Sequence, residues 1–251
     1  MQTSSGMRLV ARPPIVTLIV LVGCLVGFVV ALAVGTRDLP EFLLNFGVVP
    51  AGVVAYFAGA EGATFVNSLL PFVSSLFLHG GFIHLLANVF TFWMVGDMVE
   101  AWLGATRYAT LFVFGAIAEL IVRMGVSGPS QIASVGISGG VAAVIGGYVV
   151  ILLKIRAKDE PRAAAAILLR RLPLIVVAVA WFPLQYLTRY FPLAATCQTA
   201  EPVAWPALAA SGAVGVFLLS LSAPRGGRFL PESEPVAPTV ITSTFPSEHG
   251  F

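Results

Sequence analysis

Apolar residues come along this chain in runs too long and unbroken for the half-buried helices of a water-soluble fold. Six stretches, about 15–34, 84–103, 108–125, 138–154, 172–191 and 203–221, approach the roughly 17–25 residues that a membrane-crossing helix needs. The first does not read as a cleavable signal peptide, because its apolar core is too long and Gly35-Thr36-Arg37-Asp38 offers no small-residue cleavage site. Between the first two runs lies a long connection, 35–78, whose apolar portion 43–58 is broken by Pro50 and Gly52. It is expected to lie in the membrane interface or to pack on the bundle. Beyond Ala223, Pro224, Pro231, Pro235, Pro238 and Pro246 stand among Ser, Thr and Glu. Such a stretch cannot bury enough apolar surface to offset its chain entropy. The division is therefore a cytoplasmic segment 1–14, a membrane domain 15–221 and a disordered cytoplasmic tail 222–251. No internal repeat is evident, which weighs against inverted-repeat transporter folds.

Composition agrees. Of 251 residues, 58% are hydrophobic and 10% charged, where a soluble domain carries roughly 25% charged residues. A soluble enzyme and a disordered scaffold are both excluded. A net charge of +2 leaves no basic stripe for a nucleic acid. Cys24 and Cys197 form neither a disulfide framework nor a zinc pattern. Placing the N-terminus in the cytoplasm puts Arg8, Arg12, Arg107, Lys154, Arg156, Lys158, Arg162, Arg170, Arg171, Arg225 and Arg228 inside. Only Arg37, Arg123 and Arg189 fall outside, so both termini are expected on the cytoplasmic face. Short polar tails without a targeting presequence point to a bacterial-type plasma membrane.

Ionisable and strongly hydrogen-bonding residues inside a bilayer are functional candidates by default. His84 and Asn88 are four apart and share a helix face, with His79 about a turn earlier. They are either interfacial histidines with an Asn joining two helices, or part of a site. No third ligand accompanies them, so no metal is expected. Gly136-Ile137-Ser138-Gly139 opens the fourth run, where glycines let the backbone turn sharply and leave the hydroxyl uncovered. N–H groups at that helix start can also donate to an oxyanion. Gly139, Ala143, Gly146 and Gly147 make one small-residue strip, and Ser211 with Gly215 another, so spans four and six should pack closely. Glu119 and Arg123, four apart in span three, neutralise each other on an inward face, or Arg123 reaches toward the surface. Asp97 and Glu100 are expected at the inner interface.

Taken in order, these features resemble the rhomboid family of intramembrane serine proteases. Phe77-Leu78-His79-Gly80-Gly81-Phe82-Ile83-His84-Leu85-Leu86-Ala87-Asn88 looks like the family's span-two signature, continued by Gly96, Glu100, Leu103-Gly104 and Tyr108. Gly136-Ile137-Ser138-Gly139 matches its nucleophile motif, Gly146-Gly147-Tyr148 follows at the family's distance, and Trp181 and Gln185 resemble its span five. The resemblance implies an all-α, six-transmembrane-helix bundle with a water-filled cavity open to the non-cytoplasmic side. It makes Ser138 the nucleophile position. His84, Asn88 and the Ser138 N–H would line the oxyanion hole. His79, Gly136 and Gly139 would support them.

The family also places a histidine on span six as general base, in a pattern approximately Ala-Trp-x-Ala-His-x-Gly-Gly. Here Trp205, Ala207, Ser211 and Gly215 register without a gap, and the histidine position holds Leu208. The aromatic that the family often places four residues after the serine is Ala142. A serine hydroxyl is a poor nucleophile without a neighbour to take its proton. Two functions follow. The first is a pseudoprotease, catalytically impaired, that binds transmembrane helices of client proteins. The second is an active or weakly active intramembrane serine endopeptidase using Ser138 with an atypical base. The partners are the lipid bilayer and transmembrane helices, with no nucleic acid, and no cofactor is expected.

Overall fold

The computed structural model describes residues 7–9, 13–158, 176–185, 187, 205–222 and 229–231. In chain order these form β1 (Met7–Leu9), α1 (Ile15–Phe46), α2 (Pro50–Phe57), α3 (Phe65–Ser68), α4 (Pro71–Ser75), α5 (Phe82–Leu103), α6 (Ala105–Ser127), α7 (Ser138–Lys158), α8 (Val176–Gln185), α9 (Trp205–Leu221) and β2 (Phe229–Pro231).

Three helical segments are long and apolar enough to cross a membrane: Ile15–Gly35, Phe82–Leu103 and Ala105–Val126. The shorter apolar helices Ser138–Lys154, Val176–Gln185 and Pro206–Leu221 fall where the sequence predicts spans four, five and six. Parts of the fifth expected span, residues 172–175, 186 and 188–191, lie outside the described residues, as do 223–228 and 232–251 of the expected disordered tail. The described chain departs from an all-helical reading at one point, where β1 pairs antiparallel with β2 over three residues each.

The first expected span ends where Gly35, at φ 79 and ψ 162, leaves helical geometry, and a second helical arm continues from that kink to Phe46. The connection that follows is built from short helices, two of them with Pro in the first turn, where its missing N–H costs nothing. Thr64 and Asn67 close a capping box on α3. This connection packs on the bundle: Val48 and Ser134 exchange backbone hydrogen bonds at 2.8 and 3.2 Å, and Ala51 N–H donates to Ser130 O at 2.9 Å.

Helix α7 is the centre of the molecule. Every residue from 137 to 148 is buried, as expected of a helix apolar all round. Glycines decide how closely its neighbours approach. A Cβ at Gly146 would overlap the Gly212 carbonyl, and one at Gly215 would overlap the Ala143 carbonyl, so α7 and α9 touch backbone to backbone. Gly115 of α6 approaches Ala143 and Gly139 in the same way. The contacts also fix directions. Ala142 lies level with Gly212 and Gly147 with Leu219, so α7 and α9 run parallel, while Gly147 beside Leu111 and Gly139 beside Gly115 make α6 antiparallel to α7.

Polar side chains secure the end of the bundle away from Ser138. Glu100, expected at the interface, is instead buried and accepts from Val16 N–H and Thr17 N–H, both at 2.9 Å, and from Thr17 Oγ1 at 2.8 Å. It thereby satisfies the free N–H groups that open α1. Lys154 Nζ donates to Leu219 O at 2.7 Å and Ser222 O at 2.8 Å, closing the last turn of α9.

Candidate functional site

The chain reaches α7 through a turn that only glycine holds comfortably. Gly136 sits at φ +110, and its N–H donates to Ser75 O at 2.8 Å. A Cβ there would lie 2.9 Å from His84 Cε1, 3.1 Å from His84 Nε2 and 3.8 Å from Asn88 Nδ2. The absent side chain is therefore the space in which the two α5 residues meet the start of α7. Two positions later Ser138 begins the helix, and it is 8% exposed.

Ser138 has a partner that its own neighbourhood in sequence does not reveal. Its hydroxyl donates to the Glu119 carboxylate, lying 2.9 Å from Oε2 and 3.1 Å from Oε1. Oε1 is also ion-paired with Arg123 Nη2, one turn further along α6. The two charges face inward and neutralise each other, as the spacing allowed. The serine as their neighbour is new. Gly139 makes room for it, since a Cβ there would lie 2.6 Å from Glu119 Oε2 and 2.7 Å from Glu119 Cβ. Gly139 was expected to belong to the strip joining spans four and six, yet it serves the packing of α7 on α6. The sequence signal was a carboxylate inside an apolar run, four residues after Gly115, which marks the face of α6 that meets α7.

Opposite Glu119, the α5 side chains are held by their own contacts. Gln185 Nε2 donates to Asn88 Oδ1 at 2.9 Å, which orients the amide. Asn88 Nδ2 is buried and has no acceptor among the described residues. A buried donor of this kind is costly unless something uses it. The His79 and His84 rings meet edge to face at 5.1 Å. His79 is completely buried, and that burial, with His84 beside it, holds its imidazole well below the usual range, against a weaker opposing pull from the Phe77 backbone.

Leu208 is fully buried within the apolar core. The parallel register that sets Ala142 level with Gly212 sets Leu208, one turn earlier, level with Ser138. Ser211, on the following turn, donates to Gly115 O and Ala207 O, both at 2.9 Å, and so ties α9 to α6. A small recess of about 20 Å³, lined among others by Val48, Phe72, Ser75, Ala116, Glu119 and Gly136, reaches Glu119 from the side of the connection.

Ser138, His84, Asn88, Gly136 and Gly139 thus converge, with His79 set edge to face behind His84. Among the described residues, no three His, Cys, Asp or Glu side chains come together as metal ligands. The arrangement is a hydroxyl on a carboxylate, beside two α5 side chains and a helix N-terminus.

Residues 66–222 match the family model of the rhomboid domain. Within the chain, 74 residues are 31% identical to a RHOMBOID-like protein 5 of Arabidopsis thaliana, a match covering 30% of this chain and 24% of that relative. The aligned stretch therefore spans about a quarter of the relative's length.

Proposed function

The chain belongs to the rhomboid family, and from that premise we propose that it is a catalytically impaired pseudoprotease that binds transmembrane helices of client proteins. In this reading six helices cross the bilayer with both termini on the cytoplasmic face. The client reaches the Ser138 end of α7 from the opposite side. One observation carries the impairment: the α9 position level with Ser138 is Leu208, buried in apolar packing. Such a side chain accepts no proton, and loss of the base from a serine–base pair costs orders of magnitude in rate. His84, Asn88 and the Ser138 N–H then serve as donors to a polar group of the client, with His79 behind them.

A second reading has its own support. In it the chain is a slow intramembrane serine endopeptidase using Ser138 with an atypical base, and the favouring observation is the hydrogen bond from Ser138 to Glu119.

The deciding experiment uses the full chain in lipid vesicles with a model transmembrane substrate carrying a helix-breaking residue near the outer surface. Wild type, Ser138→Ala and Leu208→His are compared for helix binding and cleavage. The pseudoprotease predicts equal binding by all three, no products from wild type, and products from Leu208→His. Cleavage by wild type but not Ser138→Ala establishes the endopeptidase instead. Absence of binding by every variant refutes the helix-binding reading.

A further inference from the structure

We propose that Glu119 is the proton acceptor for Ser138, standing in for the span-six histidine that this chain lacks; the inference rests on the second reading above. The geometry of a base is present. Glu119 Oε2 lies 2.9 Å from Ser138 Oγ, inside the reach required for proton transfer. Oε1, 3.1 Å from the serine hydroxyl, is also engaged by Arg123, which leaves Oε2, the nearer at 2.9 Å, as the oxygen free to take the proton. Among the described residues, the Ser138 hydroxyl has no other hydrogen-bond acceptor. Residues 205–222 contain no ionisable side chain, and His84 lies against Gly136 among the oxyanion donors.

The steps balance. Ser138 Oγ forms a bond to a scissile carbonyl carbon as its proton passes to Glu119 Oε2, and the negative charge leaves the carboxylate for the substrate oxygen. His84 Nε2, Asn88 Nδ2 and the Ser138 N–H are placed to donate to that oxygen. Asn88 Nδ2 is the buried donor that otherwise has no acceptor. Protonated Glu119 then gives its proton to the leaving nitrogen as the C–N bond breaks. Water, losing a proton to the same carboxylate, next cleaves the acyl ester, and the proton returns to Ser138. A carboxylate is in general a weaker base than the imidazole that the family uses. The centre is therefore slow by construction.

The test is labelling of the full chain in lipid nanodiscs by an alkyl fluorophosphonate, followed by intact mass. Attack by Ser138 forms the phosphonyl ester, releases fluoride and needs no peptide substrate. Wild type should gain one adduct that Ser138→Ala does not. Glu119→Gln should slow labelling about 10²-fold or more, the range a general base supplies. Glu119→Gln combined with Leu208→His should label again, which shows the bundle intact. If that double variant is silent, Glu119→Asp decides: labelling faster than Glu119→Gln supports the carboxylate, and equal labelling overturns it.

A pH profile separates a base from a structural prop. The ionisable groups facing Glu119 are Arg123 on its own helix and Ser138 on α7, with His84 of α5 across Gly136; the recess lining and α9 contribute none. The Leu208→His double variant should lose labelling as imidazole protonates near about 6.5, a loss that the wild type, using no imidazole as acceptor, should not share. Labelling of Glu119→Gln at the wild-type rate would overturn the role of Glu119 while leaving Ser138 reactive. An unlabelled wild type beside a labelled Leu208→His would overturn both this inference and the endopeptidase reading.

Discussion

A histidine with no exposure, set edge to face against a second histidine, pays twice for a charge: once in lost hydration and once in repulsion if its neighbour is also charged. His79 is that residue. Its folded-state pKa is depressed, whereas an unfolded chain protonates near about 6.5. Above that value both states are neutral and His79 adds no pH dependence. Below it the unfolded state binds the extra proton, so stability falls as pH falls. The slope approaches about 1.4 kcal/mol per pH unit for one such group. Unfolding in detergent followed from pH 7.5 to 5 should show this loss, and His79→Gln should remove part of the slope. Parallel curves for the two proteins would mean that His79 is already hydrated. At this scale the sequence was uneven in what it disclosed. His84, Asn88 and Ser138 were legible because period and motif mark them. The Ser138–Glu119 contact was not, because it joins residues 19 apart on two helices whose relative rotation no local pattern specifies.

Helices α7 and α9 meet where glycine removes side chains from both surfaces, and this part of the fold was readable in advance from the strips of small residues. Their exact partners were not, since Gly139 turned out to seat Glu119 and Gly212 to face Gly146. Close backbone contact gains dispersion energy only while nothing intrudes. Gly215→Val should force the helices apart and cost about 1–3 kcal/mol, the usual range for overpacking. Gly125 is the internal control, because a Cβ there meets nothing within 4 Å. Gly125→Ala should leave stability unchanged or raise it slightly, by up to about 1 kcal/mol from helix propensity. Thermal unfolding of the two variants in one lipid mixture checks the contrast. Equal destabilisation would show that glycine matters here for reasons other than the α7–α9 approach. The span ends were less legible than the spans. The first apolar span ends at Gly35, close to the expected 34, but the second arm that continues past this kink to Phe46 was not legible in the apolar pattern.

Over the whole molecule, the two ends of the bundle are fastened by different chemistry. At the end away from Ser138, a buried carboxylate closes the start of α1 and an ammonium closes the last turn of α9. At the Ser138 end, the segment leading into α7 is joined to the connection by backbone bonds, from Gly136 to Ser75, from Ala51 to Ser130 and between Val48 and Ser134, while Glu119, paired with Arg123, ties α7 to α6. Charge-assisted bonds from buried groups are the stronger kind, at about 1.5–3 kcal/mol each. A client helix would therefore more easily part the connection from the segment entering α7 than α1 from α5, with the far end acting as the fixed point. Glu100→Ala tests this division. It strands two N–H groups of α1, while the Thr17 hydroxyl keeps the Tyr108 hydroxyl at 3.2 Å, so stability should drop by about 2–6 kcal/mol, at about 1–3 kcal/mol per buried donor left without an acceptor. Ser138 lies at the opposite end of α7, so fluorophosphonate labelling or client binding per folded molecule should change less than twofold. SDS titration gives the first quantity, and labelling or capture normalised to the folded fraction gives the second. If Glu100→Ala costs little stability but abolishes client binding, the ends are coupled, and α1 must move as one body with the helices around Ser138.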